Sequence, residues 1–191
     1  MTIDDDKKQL RKQAAATRKK AFDAMPDAPA RLAAFHHELT RIYAPLMVAA
    51  YWPIRTEIDP VPLLAKLADD GAATCLPVTP IEGKPLVFHE WQIGTPLADG
   101  PYHTKEPDGS SPVVMPDLIL APLLAFDAQC WRLGYGGGFY DRTLDALEKA
   151  GHKAHVVGIA FDESEVEHVP TGPYDKVLSA ICTPTSLRLA S

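Results

Sequence analysis

Apolar and polar positions along the chain recur with periods that predict helices alternating with strands. Residues 30–43 carry apolar side chains at the spacing of an amphipathic helix, at Leu32, Phe35, Leu39 and Ile42. Short apolar runs that lack this spacing predict buried strands. Residues 4–25 are rich in Ala, Lys, Arg and Gln, with acidic residues first and basic ones after, and precede Pro26, which predicts another helix. We predict further helices over 60–70 and 139–150, and strands over 46–52, 72–78, 86–91, 117–126, 154–160 and 177–182.

This alternation of strands and helices indicates an α/β fold with a mainly parallel, mixed sheet covered on both faces. The chain has 191 residues and is 46% hydrophobic, enough for one compact core, so a single domain over 1–191 is expected. Residues 94–112 are rich in Gly, Pro and polar side chains. A segment of this length and composition predicts a functional loop.

The net charge, the apolar runs and the cysteines argue against several classes of protein, namely nucleic-acid-binding, membrane-spanning, disulfide-rich and thiolate-metal proteins. The formal net charge is −6, which argues against a nucleic-acid partner. The longest apolar run, 118–126, is shorter than the roughly 18 residues of a membrane span. The cysteines are three in number without metal-site spacing, so neither a disulfide framework nor a thiolate metal site is indicated. We expect a cytoplasmic monomer that binds neither membranes nor nucleic acid.

A glycine loop, Gly134-Tyr135-Gly136-Gly137-Gly138, lies between a predicted buried strand and a predicted helix. Glycines let backbone N–H groups approach an anion, and the following helix N-terminus favours one. Phosphate binding and a plain tight turn are both compatible with the glycines alone. Arg132 and Arg142 flank the loop and favour phosphate, although surface ion pairs are the alternative.

Other candidates allow both a structural and a functional interpretation. Lys7 and Arg11, four residues apart on a predicted helix that also places Arg18 on their face, could bind a polyphosphate or form a solvated basic face. Glu57 follows a strand end, where α/β proteins bind ligands, or is a loop acid. Asp141 could cap its helix or hold Mg²⁺. The histidines, at 36, 37, 89, 103, 152, 155 and 168, show no metal-protease pattern, and no ligand role is assigned to them.

Two adjoining segments resemble the signature of the 5-formyltetrahydrofolate cyclo-ligase family. They are Asp-Leu-Ile-Leu-Ala-Pro-Leu-Leu-Ala-Phe-Asp at 117–127 and Arg-Leu-Gly-Tyr-Gly-Gly-Gly-Phe-Tyr-Asp-Arg at 132–142. The resemblance extends to Lys-Lys-Gln-Leu-Arg at 7–11, Glu-Ile-Asp at 57–59, Glu-Pro at 106–107 and Tyr-Asp at 174–175. These matches occur in family order over nearly the whole chain.

The resemblance implies a three-layer α/β/α sandwich that uses ATP to convert 5-formyltetrahydrofolate into 5,10-methenyltetrahydrofolate. It implies Mg²⁺ at Asp141 and Asp175, and catalytic roles for Arg132 and Tyr140. The folate would contact Trp52, Glu57, Tyr135, Gly136, Gly137, Gly138 and Phe139. The ATP site would comprise Lys7, Lys8, Gln9, Leu10, Arg11, Arg132, Leu133, Gly134, Tyr135, Gly136, Gly137, Gly138, Phe139 and Tyr140.

The sequence departs from the family pattern at a few positions. Leu123 and Cys130 stand where the family has glycine and Pro60 where it has threonine, and Ser179 and Pro184 replace an Asp and a Glu. These departures leave open a paralogue that binds a nucleotide or a folate in a regulatory or metabolite-repair role. A sugar-phosphate or acyl-CoA enzyme on a related scaffold is a further alternative, but it gives Lys7, Arg11 and Glu57 no purpose.

Overall fold

The structure, a computed structural model, describes residues 2–80 and 83–190. Its α-helices are α1 (Ile3–Ala24), α2 (Ala28–Ala33), α3 (His36–Tyr43), α4 (Val61–Asp69) and α5 (Phe139–Lys149). Its strands are β1 (Met47–Ala49), β2 (Ala73–Val78), β3 (Val87–Glu90), β4 (Ala98–Asp99), β5 (Lys105–Glu106), β6 (Val113–Val114), β7 (Leu118–Pro122), β8 (Ala125–Phe126), β9 (Arg132–Leu133), β10 (His155–Ile159), β11 (Ala180–Cys182) and β12 (Leu187–Leu189).

The main sheet has the strand order β12-β11-β10-β7-β1-β2-β3-β6. Its central strands β11, β10, β7, β1 and β2 are parallel, and antiparallel strands close both edges. The predicted mixed, mainly parallel sheet is therefore confirmed. Chain order reverses between β1 and β7, and an open α/β sheet binds ligands outside the carboxyl ends of its strands at such a switch point.

Successive residues of β7 face opposite sides of the sheet. Leu118 and Leu120 belong to a core formed with α2, α3 and α4, whereas Ile119 and Ala121 belong to a second core formed with α5. Both faces are thus covered by helices, and the three-layer α/β/α arrangement is confirmed. Because the central strands are buried on both faces, their sequences are continuous apolar runs without polar alternation.

Helix α1 begins and ends where its sequence signals predict. The Thr2 hydroxyl accepts a hydrogen bond from the Asp5 backbone, and the Asp5 carboxylate accepts one from the backbone of Thr2, which forms a capping box. The helix ends just before Pro26, as expected of a residue that cannot continue a helix. Its inner residues pack on the β8–β9 hairpin, with Ala14 against Leu124 and Leu133.

Two predicted elements were too long. The helix predicted over 30–43 is two helices, because the chain turns at Ala34 and Phe35 between α2 and α3. The strand predicted over 117–126 leaves the main sheet after Pro122, and its last residues form β8, which pairs with β9. The glycine loop therefore follows β9 of a two-stranded hairpin, whereas the sequence had placed it after a strand of the main sheet.

The loop segment 94–112 contains a short hairpin of β4 and β5. Glu106 is buried at its end, where Oε1 accepts hydrogen bonds from the Thr79 backbone and from the Thr104 hydroxyl. Among the described residues no helix is long and apolar enough to cross a membrane.

Candidate active site

The glycine loop connects β9 to α5 with two residues in the left-handed backbone region. Gly136 has φ 99° and Gly138, the N-cap of α5, has φ 65°, a region that glycine enters without the steric cost of a Cβ atom. A Cβ on Gly138 would lie 2.6 Å from Nη1 of Arg142, whose Nη2 donates to the Gly137 carbonyl over 2.6 Å. Arg142 thus supports the loop from the α5 side.

Helix α1 contacts the same loop through Arg11. Its Nε donates to the Gly134 carbonyl over 2.9 Å, and a Cβ on Gly136 would lie 3.2 Å from the Arg11 Cζ. Only a glycine lets the guanidinium approach this closely without displacement. The structure therefore joins Arg11 to the glycine loop, 123 residues away in the sequence.

Arg132 and Asp141, at the two ends of the loop, form an ion pair. Nη2 of Arg132 lies 2.6 Å from Oδ1 of Asp141, and Nη1 donates to the Lys176 carbonyl over 2.8 Å. The Lys176 backbone N–H also points to Asp141 Oδ1, at 3.3 Å. The Arg132 side chain is only 6% exposed, so the pair is fixed by its surroundings.

Lys7 and Asp175 form a second ion pair of the same kind. Their charged atoms are 2.5 Å apart, and the Gly172 backbone N–H donates to the same carboxylate oxygen. Asp175 precedes Lys176, whose peptide groups contact Arg132 and Asp141. The two predicted metal ligands, Asp141 and Asp175, are thus brought to one region, and each already holds a predicted phosphate-binding cation.

A chain of hydrogen-bonded polar side chains lies at the switch point, with Arg18 and Glu57 buried and Tyr135 exposed. The Tyr135 hydroxyl accepts a hydrogen bond from Nη1 of Arg18 over 2.5 Å and donates one to Oε1 of Glu57 over 2.6 Å. Arg18 also donates to the hydroxyl of Thr56 over 3.1 Å. The second oxygen of Glu57 accepts the Ile54 N–H over 2.8 Å, so both carboxylate oxygens are hydrogen-bonded.

Arg18 was not among the predicted site residues, yet it is one of the most deeply buried polar groups near the site, at 4% exposure. The signal for it was its position seven residues after Arg11, on the face of α1 that also carries Lys7. A buried guanidinium requires partners, and these come from the loop after β1 and from the glycine loop. No local sequence pattern revealed that both would meet α1.

The pKa values of the acidic groups in this set of side chains are shifted upward. Burial raises the pKa of the Glu57 carboxyl, an effect that the hydrogen bonds from Tyr135 and Ile54 and the charge of Arg18 oppose. Burial, reinforced by the nearby Glu57, also raises the pKa of Tyr135 and of Tyr140. Perturbed titratable groups gathered at a ligand-binding edge are typical of functional sites.

The remaining predicted site residues fall into three groups. Tyr140 and Phe139 are partly buried at the start of α5, and Trp52 packs edge-on against Trp91 with ring centroids 6.3 Å apart. Leu133 is buried and Leu10 packs beside it, so these two support the site through packing. The exposed residues are Lys8 and Gln9.

An open groove of about 440 Å³ runs between α1, the loop after β1 and Tyr135. Its lining carries basic and apolar side chains and no acid, and comprises Arg11, Lys12, Ala15, Arg18, Lys19, Arg55, Thr56, Leu124 and Tyr135. A groove with this lining suits an anionic ligand that also has apolar surface.

Three departures from the family pattern have local structural explanations. Cys130 has φ 65°, a conformation in which glycine is the usual residue. Leu123 is accommodated because Gly158 has no side chain: a Cβ there would lie 2.6 Å from the Leu123 Cδ2. Pro60 cannot cap α4 with a side-chain oxygen, and Asp59 instead accepts the Val61 N–H over 2.9 Å.

A glycine loop contacted by arginines, a basic groove and a buried acid lie together at the switch point of the sheet, an arrangement typical of an α/β enzyme. The sequence profile of the 5-formyltetrahydrofolate cyclo-ligase family matches residues 3–184. The chain belongs to this family, and it is an enzyme of the ligase class.

Individual relatives agree with this assignment. The 5-formyltetrahydrofolate cyclo-ligase of Escherichia coli strain K12 is 34% identical over 145 residues, which cover 73% of this chain and 79% of that protein. The enzyme of the same name from Mycolicibacterium smegmatis is 32% identical over 145 residues, 72% of this chain and 73% of that one. The solved structure of 5,10-methenyltetrahydrofolate synthetase from Aquifex aeolicus superimposes with a TM-score of 0.74 at 25% identity, covering 96% of this chain and 92% of that one.

Proposed function

We propose that the protein catalyses the ATP-dependent cyclisation of 5-formyltetrahydrofolate to 5,10-methenyltetrahydrofolate, with release of ADP and phosphate. The observation that carries the proposal is the meeting of the glycine loop with α1 and with Glu57. Arg11 and Arg132, which would bind phosphate, thereby lie near the buried carboxylate of Glu57, a hydrogen-bond acceptor. Family membership supports the reaction class, and the contacts of the glycine loop with α1 and with Glu57 support a site there for the two substrates.

The formyl oxygen of the folate attacks the γ-phosphorus of ATP, and the bond from that phosphorus to the ADP oxygen breaks. An unreactive amide oxygen thereby becomes a phosphate leaving group. N10 then attacks the activated carbon and loses its proton to the departing phosphate, the C–O bond breaks, and inorganic phosphate leaves with the electron pair. The protein contributes positioning and charge neutralisation and forms no covalent intermediate.

On the ATP side, Lys7, Arg11 and Arg132 would neutralise the phosphates while the glycine loop supplies backbone N–H donors. Lys7 and Arg132 are oriented by Asp175 and Asp141. These carboxylates hold the two cations at the site before the nucleotide arrives. Electrostatic preorganisation of this kind lowers the cost of reorganisation during phosphoryl transfer.

Asp141 and Asp175 have the donor chemistry that suits Mg²⁺. Both carboxylates are partly exposed, at 27% and 24% of their side chains. Within residues 2–80 and 83–190, hydrogen bonds reach only Oδ1 of Asp141 and only Oδ2 of Asp175, which leaves the other oxygen of each for a hard cation. When bound, Mg²⁺ would neutralise charge on the transferring phosphate.

On the folate side, Glu57 would accept hydrogen bonds from N–H groups of the pterin, since a carboxylate only accepts when ionised. Trp52 offers an aromatic face next to the same loop. Tyr135 links this acceptor to Arg18 and to the glycine loop, so the folate and phosphate sites share one residue. Arg132 and Tyr140 would act at the reacting groups between them.

We also propose that the enzyme works in the cytoplasm as a monomer. A paralogue with a different role stays the alternative that the departures from the family pattern suggest. The local explanations for Leu123 and Pro60 favour the enzyme, because these residues are accommodated by packing and capping in the fold.

The proposal is tested with purified protein, 5-formyltetrahydrofolate and Mg·ATP by following the near-ultraviolet absorbance of the methenyl product together with ADP. Product is expected only when both Mg²⁺ and ATP are present, with one ADP per methenyl group. Protein that binds ATP by calorimetry but yields no product would overturn the proposal and support the paralogue.

A further inference from the structure

Two neighbouring histidines and an aspartate meet where α3 begins and α4 ends. Nδ1 of His36 lies 2.8 Å from Oδ2 of Asp70, and Nδ1 of His37 lies 3.8 Å from the same oxygen. These donor atoms all lie within 4.8 Å of one another. The two imidazole rings are stacked with a tilt of 36° and centroids 3.8 Å apart, so both present Nδ1 to the carboxylate.

The spacing of these donors suits a single small ion. Zn²⁺ binds imidazole nitrogen and carboxylate oxygen at about 2.0–2.2 Å, so the donors of one tetrahedral ion lie roughly 3.4 Å apart. The observed separations of 2.8 Å and 3.8 Å bracket this value. Two nitrogens and one oxygen favour a borderline transition metal over Mg²⁺, which prefers oxygen ligands alone.

Two of the three donors are fixed before any ion binds. The His36 and Asp70 side chains are 16% and 18% exposed, and the Thr40 hydroxyl donates to Asp70 Oδ2 over 2.9 Å. Such a hydrogen bond orients a metal-binding carboxylate. The His37 side chain, 80% exposed, reaches the group from solvent and leaves the outer coordination positions open to water.

The cluster of His36, His37 and Asp70 lies at the amino ends of the parallel strands, whereas the candidate active site lies at their carboxyl ends. Asp70 follows α4 and precedes β2, whose first residue is Ala73, so it sits near the amino ends of the parallel strands. Glu57 and Tyr135 lie beyond their carboxyl ends. An ion at this group would not reach the reacting atoms, but it would connect α3 to α4.

We propose that His36, His37 and Asp70 form a binding site for one divalent transition-metal ion of the Zn²⁺ class, which fastens α3 to α4. Binding requires that Nδ1 of each imidazole present its lone pair, with the ring proton on Nε2. The ion then replaces the hydrogen bond between His36 and Asp70. Because the ion binds the folded chain, it raises the stability of that chain by linkage.

The test uses the whole chain without a histidine tag, freed of metal by a chelator and titrated with ZnCl₂ by calorimetry. One Zn²⁺ per chain is expected, and the unfolding midpoint should rise with Zn²⁺. His37→Ala should weaken binding by about tenfold or more, because it removes one of three protein ligands. Its kcat should equal that of the wild type, and MgCl₂ should not compete for the site.

The matched control is His168→Ala, which removes another exposed histidine, 71% exposed and 4.0 Å from a buried aspartate, and should leave Zn²⁺ affinity unchanged. Asp70→Asn should weaken binding as His37→Ala does, while the amide oxygen can still accept from Thr40. Equal Zn²⁺ affinity in His37→Ala and wild type would overturn the site. So would a wild-type unfolding midpoint that does not respond to saturating Zn²⁺.

Discussion

The Tyr135 hydroxyl donates a hydrogen bond to Oε1 of Glu57 over 2.6 Å. Through this bond a residue of the glycine loop is joined to a residue of the loop after β1, and Arg18 of α1 donates to the same hydroxyl. Three separate parts of the chain therefore meet at one oxygen atom. Hydrogen bonds to charged groups of this kind contribute about 1.5–3 kcal/mol each.

Tyr135→Phe should lower kcat/KM for the folate by about tenfold or more, because it removes both hydrogen bonds and leaves the ring in place. ATP binding measured by calorimetry should change less. Tyr174→Phe is the control, since that side chain is 85% exposed and its variant should behave as wild type. A Tyr135→Phe enzyme with unchanged folate kinetics would show that the hydrogen bonds of Tyr135 with Arg18 and Glu57 have no part in turnover.

Arg18→Met should move the acidic limb of the kcat/KM profile to higher pH. The nearby guanidinium lowers the pKa of Glu57, so its loss makes the carboxyl hold its proton to higher pH. Lys20→Met, at a neighbouring exposed lysine outside the groove lining, should leave the profile where it is. An identical shift in both variants would point to a general effect of net charge.

Glu57→Gln should remove a pH-dependent component of stability. Burial raises the folded-state pKa of this acid, so the folded chain binds the proton more tightly and the wild type loses stability as pH rises from about 4.3 through the folded pKa. Urea unfolding of both proteins between about pH 4 and 7 should show wild-type stability falling relative to the variant. Parallel curves would contradict a raised pKa.

Arg132→Ala should raise the KM for ATP or lower turnover by about tenfold or more, on the scale of a charged hydrogen bond. The variant also releases Asp141 from its ion pair, so Arg132→Lys is the matched variant that keeps the charge but not the planar fork. We expect the KM for ATP and the turnover of Arg132→Lys to lie between those of the wild type and those of Arg132→Ala. Initial rates over a range of Mg·ATP concentrations measure this, and an unchanged ATP dependence would contradict the role.

Gly158→Ala should destabilise the fold by about 1–3 kcal/mol through overpacking. Its Cβ would lie 2.6 Å from methyl carbons of Leu123 and Leu178 and 2.8 Å from that of Ile181. Gly172→Ala is the control, since its Cβ would meet only Asp175 Oδ2 at an ordinary 3.7 Å. Urea denaturation measures both, and equal midpoints would mean that Leu123 shifts without cost.

Much of the fold could be predicted from the sequence because its signals are local. Helix-favouring composition and the following proline defined α1, apolar spacing defined α4, and apolar runs located β2, β7 and β10. Less could be predicted where a partner strand decides the outcome. The hairpin of β8 and β9 depends on pairing between segments that carry no helical or strand period of their own, and the break between α2 and α3 depends on packing against α4.

The candidate site also has one part that local sequence signals predicted and another that depends on distant segments of the chain. The glycine loop and its flanking arginines are a local signal, and the family resemblance is a set of short local motifs in a fixed order along the chain. Together they identified the class of chemistry from sequence alone. Arg18 and its bridge to Glu57 were not predicted, because a buried ion's partners come from segments far apart in the chain.

The sequence by itself determined the family, the candidate phosphate-binding residues and most of the segments that form helices and strands, since these follow from side-chain chemistry and local spacing. Only the tertiary structure decided which carboxylate each cation contacts, which acid is buried, and where His36 and His37 meet Asp70. Those outcomes depend on burial and on long-range packing, which set the dielectric surroundings and the partners of each ionisable group.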